Sequence, residues 1–284
     1  MEMKIGVVGC GLMGGGITQV CAQSGYPVIV SEINDELLQK GLTAIDANLT
    51  RNVQKERITQ QDKDATLARI KGTTDNRDFG DCDLVIEAAV ENLDLKKKIF
   101  GEMDKICPEH AILATNTSCL SIIDMAKATG RPDKVLGLHF FNPAPVMKLM
   151  EVVRTSATSE ETLELGKNFG QSLGKTIIIA QDTPGFIVNR LMTPQILNAI
   201  RMLESGAATK EDIDTGMTLG LNYPMGPLAL ADLVGLDTIL FITDGIHDRF
   251  REDQYAAPSL LKEMVATGQL GRKTGKGFYD YNSE

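Results

Sequence analysis

Short β-branched and leucine-rich runs alternate with longer amphipathic stretches through the first half of this 284-residue chain, and that alternation restricts the fold more than any other feature. The runs cover residues 4–8, 27–32, 84–88, 111–116 and 135–140, each of strand length. Between them lies enough chain for a crossover helix, which is the pattern of a parallel, doubly wound sheet with helices on both faces. Residues 147–153 alternate more cleanly and predict a later, partly exposed strand, and residues 176–180 predict one more. From Gly185 onward the period becomes helical, with Phe186, Ile187, Leu191, Ile196, Ile200 and Leu203 mostly three to five apart. Asp182-Thr183-Pro184-Gly185 reads as a helix start and a domain boundary. The remaining residues, interrupted at Tyr223-Pro224-Met225-Gly226-Pro227 and at Gly245, predict a smaller all-helical domain.

One connection is far longer than a crossover needs. Between Glu32 and a strand near residues 70–73, Leu38, Leu42, Ile45, Leu49 and Val53 form one helical stripe. Ala44, Asn48, Arg51 and Lys55 form a second line, so Arg51 and Lys55 project together. By pattern this pair is either a solvated basic patch on a helical hairpin or a cationic shelf for an anionic ligand.

Composition excludes several classes. With 29 Lys and Arg against 38 Asp and Glu, a net charge of −9, and 5% aromatics without Trp, the chain lacks the charge and stacking platforms of a nucleic-acid binder. No secretory signal and no membrane-spanning run is visible. The five cysteines are scattered and form no C-x-x-C pair, as expected of reduced thiols in a cytoplasmic protein. Three separated histidines with no Cys/His cluster predict no metal site.

Gly9-Cys10-Gly11-Leu12-Met13-Gly14 follows the first strand and opens a helical stretch. In that context the glycines serve a tight turn, close approach to a diphosphate and close helix–strand packing, with the anion at the helix N-terminus. Glu32 closes the second strand, where a carboxylate accepts from ribose hydroxyls and repels a 2′-phosphate; no Arg or Lys follows in Ile33-Asn34. The expected cofactor is therefore NAD rather than NADP. The fold expected is α/β: a Rossmann-type doubly wound domain over residues 1–182 with a helical-hairpin insertion at about 35–70, then an all-helical domain over 183–284.

In open α/β sheets ligands sit beyond the carboxyl ends of the strands. Those ends carry Ala88-Ala89-Val90-Glu91, Asn116-Thr117-Ser118 and His139-Phe140-Phe141-Asn142, converging with the glycine turn. His139 is the one histidine so placed; His110 falls in a loop and His247 in a helical stretch. Asn142-Pro143-Ala144-Pro145 turns the chain back so that Glu151 can reach the imidazole, and such a pair orients the ring and stabilises its protonated form.

These residues carry a resemblance to the 3-hydroxyacyl-CoA dehydrogenase family, and within it to the short-chain bacterial branch acting on 3-hydroxybutyryl-CoA. It spans essentially the whole chain through Val8–Ile17, Ile86–Asn92, His139-Phe140-Phe141-Asn142-Pro143, Asp182-Thr183-Pro184-Gly185-Phe186-Ile187-Val188-Asn189-Arg190, Tyr223–Pro227 and Gly271–Tyr279. One departure is Glu32, where the family usually has Asp. The resemblance implies a reversible, NAD-dependent oxidation of a (3S)-3-hydroxyacyl-CoA to the 3-oxoacyl-CoA. His139 would be the general base, Glu151 its partner, Ser118 and Asn189 hydrogen-bond donors to substrate, and Asn142 a support for the histidine's surroundings. Cofactor contacts would fall at Gly9, Gly11, Leu12, Met13, Gly14, Glu32, Ala89, Glu91, Lys96, Asn116 and Ser118, and the phosphates of the acyl-CoA substrate at Asn48, Arg51 and Lys55. The helical domain would close over the substrate and carry a homodimer contact. Two alternatives remain at this stage: a dehydrogenase of a 3-hydroxy acid or sugar acid without CoA, and a non-catalytic dinucleotide-binding protein.

Overall fold

A computed structural model describes residues 3–282. The chain divides into two compact units, the first ending at Thr183 and the second starting at Pro184. The first contains eight strands: β1 (Ile5–Val8), β2 (Val28–Ser31), β3 (Ile70–Thr73), β4 (Leu84–Glu87), β5 (Ile112–Thr115), β6 (Val135–Phe140), β7 (Leu149–Arg154) and β8 (Thr176–Gln181). They form one sheet in the order β3-β2-β1-β4-β5-β6-β7-β8. Six strands are parallel; β7 pairs antiparallel with β6, and β8 runs with β7. The parallel sheet expected from the sequence thus ends in two reversed strands.

Its helices are α1 (Leu12–Gln23), α2 (Asp35–Gln54), α3 (Gln60–Ala68), α4 (Leu93–Ile106), α5 (Ile122–Ala126) and α6 (Glu160–Ser172). Alternate residues along the strands (Ile5 and Val7, Leu84 and Ile86, Leu136 and Leu138, Met150 and Val152) face a core shared with α1, α2 and α6. The intervening positions face the other side, where Gly6 lies against Phe79 and Gly137 against Ile122. Period-two alternation therefore assigns every strand residue a face.

The long connection is a helical hairpin. Asn34 caps α2 by accepting from Leu37 N, and Thr59 with Asp62 makes a capping box on α3. Leu38, Ile45 and Leu49 of the expected stripe are buried, while Leu42 and Val53 are half-buried at its margin. Arg51 and Lys55 are exposed. Asp182 has a local role: its two carboxylate oxygens accept from Ile122 N (3.1 Å) and Ile123 N (2.7 Å), capping α5, whose own Ser121 makes no side-chain cap.

Three local expectations are corrected. Strand β7 is buried rather than half-exposed, because β8 covers its edge and its alternating polar residue, Glu151, lies inside. At that end of the sheet the exposed edge is β8. The first helix of the second unit starts at Val188, since Gly185 and Phe186 both adopt positive φ and Phe186 and Ile187 belong to the turn. Gly245 does not break a helix. It lies inside α10 (Leu236–Phe250), held by buried Ile242 and Ile246 on either side, and the break falls at Gly235 (φ +103°) instead.

The second unit is built from α7 (Val188–Glu204), α8 (Lys210–Gly220), α9 (Pro227–Val234), α10 and α11 (Ser259–Ala266), followed by a segment with antiparallel bridges from Lys276 to Gly271 and Asp280. Its core joins Ile196, Leu197, Ile200, Leu228, Leu236, Ile239 and Leu261. Among the described residues, no helix is long and apolar enough to cross a membrane.

All five cysteines are unpaired and buried. Burial pushes the thiols of Cys21, Cys82 and Cys119 up to about 12, and those of Cys10 and Cys107 up to about 11. The thiolate is the reactive form. Ellman's reagent at mildly alkaline pH should therefore find no fast-reacting thiol in the native protein and all five after denaturation in guanidinium. A rapidly labelled cysteine would contradict this packing.

Candidate active site

The glycine turn sits between β1 and α1. Gly9 takes a φ of +97°, and a Cβ there would lie 2.9 Å from Ala88 O. A Cβ on Gly14 would lie 1.9 Å from Gly9 O, so this glycine is required by helix–strand packing. Gly11 differs, because a Cβ there would meet no protein atom within 4 Å. It is the N-cap of α1 and supplies no capping side chain, so the first-turn N–H groups face an open position suited to an anion. Glu32 closes the other side. Its Oε1 accepts from Cys10 N (2.7 Å) and its Oε2 from Ile33 N (3.1 Å), so the acid that is to meet a ribose also fixes the turn. Leu12, Ile33 and Val90 are exposed apolar side chains at this same end of the sheet, and Met13 is half-buried. These features fit a dinucleotide.

A cleft of about 430 Å³ continues from the turn, between α1, α2 and the segment from Asn142 to Pro145. Asn48 lines it, with its Oδ1 accepting from Gln19 Nε2 (3.1 Å) and Asn52 Nδ2 (3.2 Å). Arg51 and Lys55 extend the same helical line beyond Asn48, and among the described residues neither joins an ion pair.

The histidine site follows from strand register. His139 on β6 is directly opposite Glu151 on β7, so both side chains leave the sheet on the same face. Nδ1 of His139 donates to Glu151 Oε2 at 2.6 Å, within a buried pair. That bond assigns the proton of a neutral imidazole to Nδ1 and leaves Nε2 to accept. Ser118 Oγ lies 3.2 Å from Nε2 and donates to it. The Phe141 ring stands 4.7 Å from the imidazole, centroid to centroid. Asn116 Oδ1 accepts from Phe140 N (2.9 Å), so Asn116 holds the histidine's strand. Asn142 is instead exposed on the cleft rim.

Between turn and histidine lies a third group, which joins the expected Glu91 and Lys96 to a carboxylate not singled out in the sequence. Glu87, at the end of β4 and on the same face as His139, is 2% exposed. Its Oε1 accepts from Lys96 Nζ (2.6 Å) and Ala89 N (2.7 Å), and its Oε2 from Thr115 Oγ1 (2.7 Å). Lys96, also buried, donates to Ala89 O and reaches Glu91 Oε2 at 3.4 Å. Glu91 accepts from Thr117 Oγ1 and from Ser118 N (2.9 Å). A continuous polar path therefore runs Glu87–Lys96–Glu91–Ser118–His139–Glu151. Removing one partner of such a buried pair generally destabilises by about 3–5 kcal/mol. Lys175 was also missed: nearly buried, it donates to Ala144 O (2.6 Å) and Met147 O (2.7 Å), pinning the segment after His139, and burial lowers its pKa. The hint was the ordinary alternation of β4, which assigns Glu87 to the face of His139; an apolar run masked it. Asn189 lies in the second unit, buried in the first turn of α7. Among the described residues no cluster suits a metal ion.

The two glycines give a direct test. Gly14→Ala should lower Tm through its backbone collision, whereas Gly11→Ala should keep Tm and lose NADH affinity, read by fluorescence titration. Unchanged NADH binding in a stable Gly11→Ala protein would remove the anion cradle.

Comparison with known proteins agrees with this geometry. Residues 4–183 match the family model described as 3-hydroxyacyl-CoA dehydrogenase, NAD binding domain, and residues 185–281 match the C-terminal domain of the same family. A 3-hydroxybutyryl-CoA dehydrogenase of Clostridioides difficile is 45% identical, over 99% of this chain and 100% of its own length. The human mitochondrial hydroxyacyl-coenzyme A dehydrogenase is 47% identical, over 97% of this chain and 90% of its own. The solved structure of (S)-3-hydroxybutyryl-CoA dehydrogenase from Ralstonia eutropha superposes with a TM-score of 0.93 at 46% identity, covering 99% of this chain and 100% of that one. With both of its domains matched and its histidine, carboxylate and glycine turn in place, the chain belongs to the 3-hydroxyacyl-CoA dehydrogenase family.

Proposed function

We propose that this protein is an NAD-dependent (3S)-3-hydroxyacyl-CoA dehydrogenase whose substrate is short, 3-hydroxybutyryl-CoA in one direction and acetoacetyl-CoA in the other. The observation that carries the reading is the Ser118–His139–Glu151 array. Nε2 of His139 is the base: it takes the proton of the C3 hydroxyl during oxidation and returns it during reduction. Glu151 holds the ring by its Nδ1–H and stabilises the imidazolium that forms. Ser118 Oγ, which lies 3.2 Å from Nε2, turns its hydroxyl from Nε2 to the substrate oxygen on which charge changes when substrate binds. Bound NAD supplies the hydride acceptor or donor, held by the glycine turn, Glu32 and the ends of β4 and β5.

Asn48, Arg51 and Lys55 are assigned to the phosphates of coenzyme A, because they continue the cleft as one helical line on an otherwise acidic chain. The contribution of Asn189 to substrate binding, and of the helical unit to closure and to a homodimer, rests on the family resemblance; exposed Leu219, Leu221 and Leu233 of that unit favour a partner surface. A cytoplasmic location and a place in fatty-acid or butyrate metabolism belong to the same reading.

Acetoacetyl-CoA should cause NADH absorbance to fall, and His139→Gln should lower kcat about 10²–10⁴-fold while NADH still binds. Absence of NADH oxidation in the wild type, with NADH bound, would overturn the catalytic assignment. Replacing both Arg51 and Lys55 by Ala should raise KM for acetoacetyl-CoA about tenfold, the scale of losing charge-assisted bonds, and leave KM for acetoacetyl-pantetheine unchanged. Equal changes for the two substrates would remove the shelf.

A further inference from the structure

The Glu87–Lys96–Glu91 group holds two carboxylates against one ammonium, a net charge of −1. Glu87 accepts from three donors and Glu91 from Thr117 and Ser118, with Lys96 as an ion-pair partner at 3.4 Å, so both carboxylates sit among donors and one cation. Glu87 and Lys96 are buried, so water screens neither of them well.

The position of this charge relative to the reaction follows from chemistry. The carbinol carbon bears both the oxygen whose proton goes to His139 and the hydrogen that leaves as hydride. The hydride acceptor must stand about 3–3.5 Å from that carbon. Ser118 links the base to the charged group, since its Oγ touches His139 and its N–H donates to Glu91. Glu91 follows Ser118 at 2.9 Å, Lys96 follows Glu91 at 3.4 Å and Glu87 follows Lys96 at 2.6 Å, so the charged group is linked contact by contact to the base, and buried charges of this kind are little screened by salt. The acceptor ring is cationic when oxidised and neutral when reduced, so a fixed negative charge acts on one form and not on the other.

We propose that Glu87 and Glu91, opposed by the single Lys96, form an electrostatic selector that stabilises the oxidised form of the bound nicotinamide relative to the reduced form. Glu87, 2% exposed, acts at a distance as a positioning residue. It sets the charge and holds Lys96, and both effects reach the reaction through the ring's oxidation state. The inference rests on the NAD-dependent reading above, and it is separable from it because binding equilibria are compared without turnover.

The test is calorimetric titration of NAD⁺ and of NADH into wild type, Glu87→Gln, Glu87→Asp and Glu91→Gln. At an effective dielectric of ~20, removing one charge at this range should weaken NAD⁺ about tenfold and leave NADH within about threefold. A tenfold change in that ratio equals about 30 mV in the midpoint potential of the bound two-electron couple. Glu87→Asp keeps the charge and should keep the wild-type ratio. Glu91→Gln should move the ratio in the same direction as Glu87→Gln, and it decides the matter if Glu87→Gln fails to fold, since Glu91 lies partly exposed. If both nicotinamide forms weaken by the same factor in the neutral variants, the group is a structural brace and the selector is wrong. Failure of the wild type to bind either form would instead overturn the cofactor assignment.

Discussion

The bond between His139 and Glu151 depends on β7 running against β6. Parallel neighbours would need a crossover of a dozen or more residues before the carboxylate could return to the imidazole. The reversal after Phe140 does it within one short segment, and antiparallel register then sets the two side chains opposite each other on one face. Lys175 holds two carbonyls of that segment from the far side. The rest of the site is arranged around a pair fixed by backbone hydrogen bonds, which is a rigid foundation for proton transfer.

The same alternation governs the other polar groups. Glu87, Thr115, His139 and Glu151 occupy the strand positions between core residues, so they leave the sheet on the face opposite the α1–α6 core. Buried charge is costly unless paired. Here pairing is achieved by drawing on loops as well as strands: Ala89 N–H, Ser118 N–H and the first turn of α4 all converge on the carboxylates. A low-dielectric floor with fixed dipoles is what electrostatic preorganisation requires.

Much of this was legible in the residues. Seven strands fall close to the apolar runs and β3 close to residues 70–73, the hairpin follows from a three-four stripe, and a Pro-x-Pro turn allows Glu151 to reach the imidazole, its role there coming from the family resemblance. What escaped has physical causes. Glu87 sits at the end of Leu84-Val85-Ile86 and reads as the polar punctuation of a strand, since a sequence does not show that Lys96, nine residues on, folds back to it. Strand β7 alternates like a surface strand because its polar member is a buried partner of histidine. Gly245 looks like an interruption, yet flanking isoleucines pack well enough to carry a helix through it. Phe186 looks helical by spacing, and only its backbone conformation places it in a turn.

Glu32 is also a mechanical part. One of its oxygens receives the Cys10 N–H in the middle of the glycine turn, and the other receives its own neighbour's. The residue assigned above to the ribose, where it would repel a 2′-phosphate, is thereby also the strut that shapes the glycine turn. Exchanging it for a basic or neutral side chain to admit a phosphorylated ribose would release Cys10 at the same stroke. Nucleotide preference and cradle geometry are coupled through one carboxylate, so a change of coenzyme in this fold demands a second substitution that restores the lost acceptor.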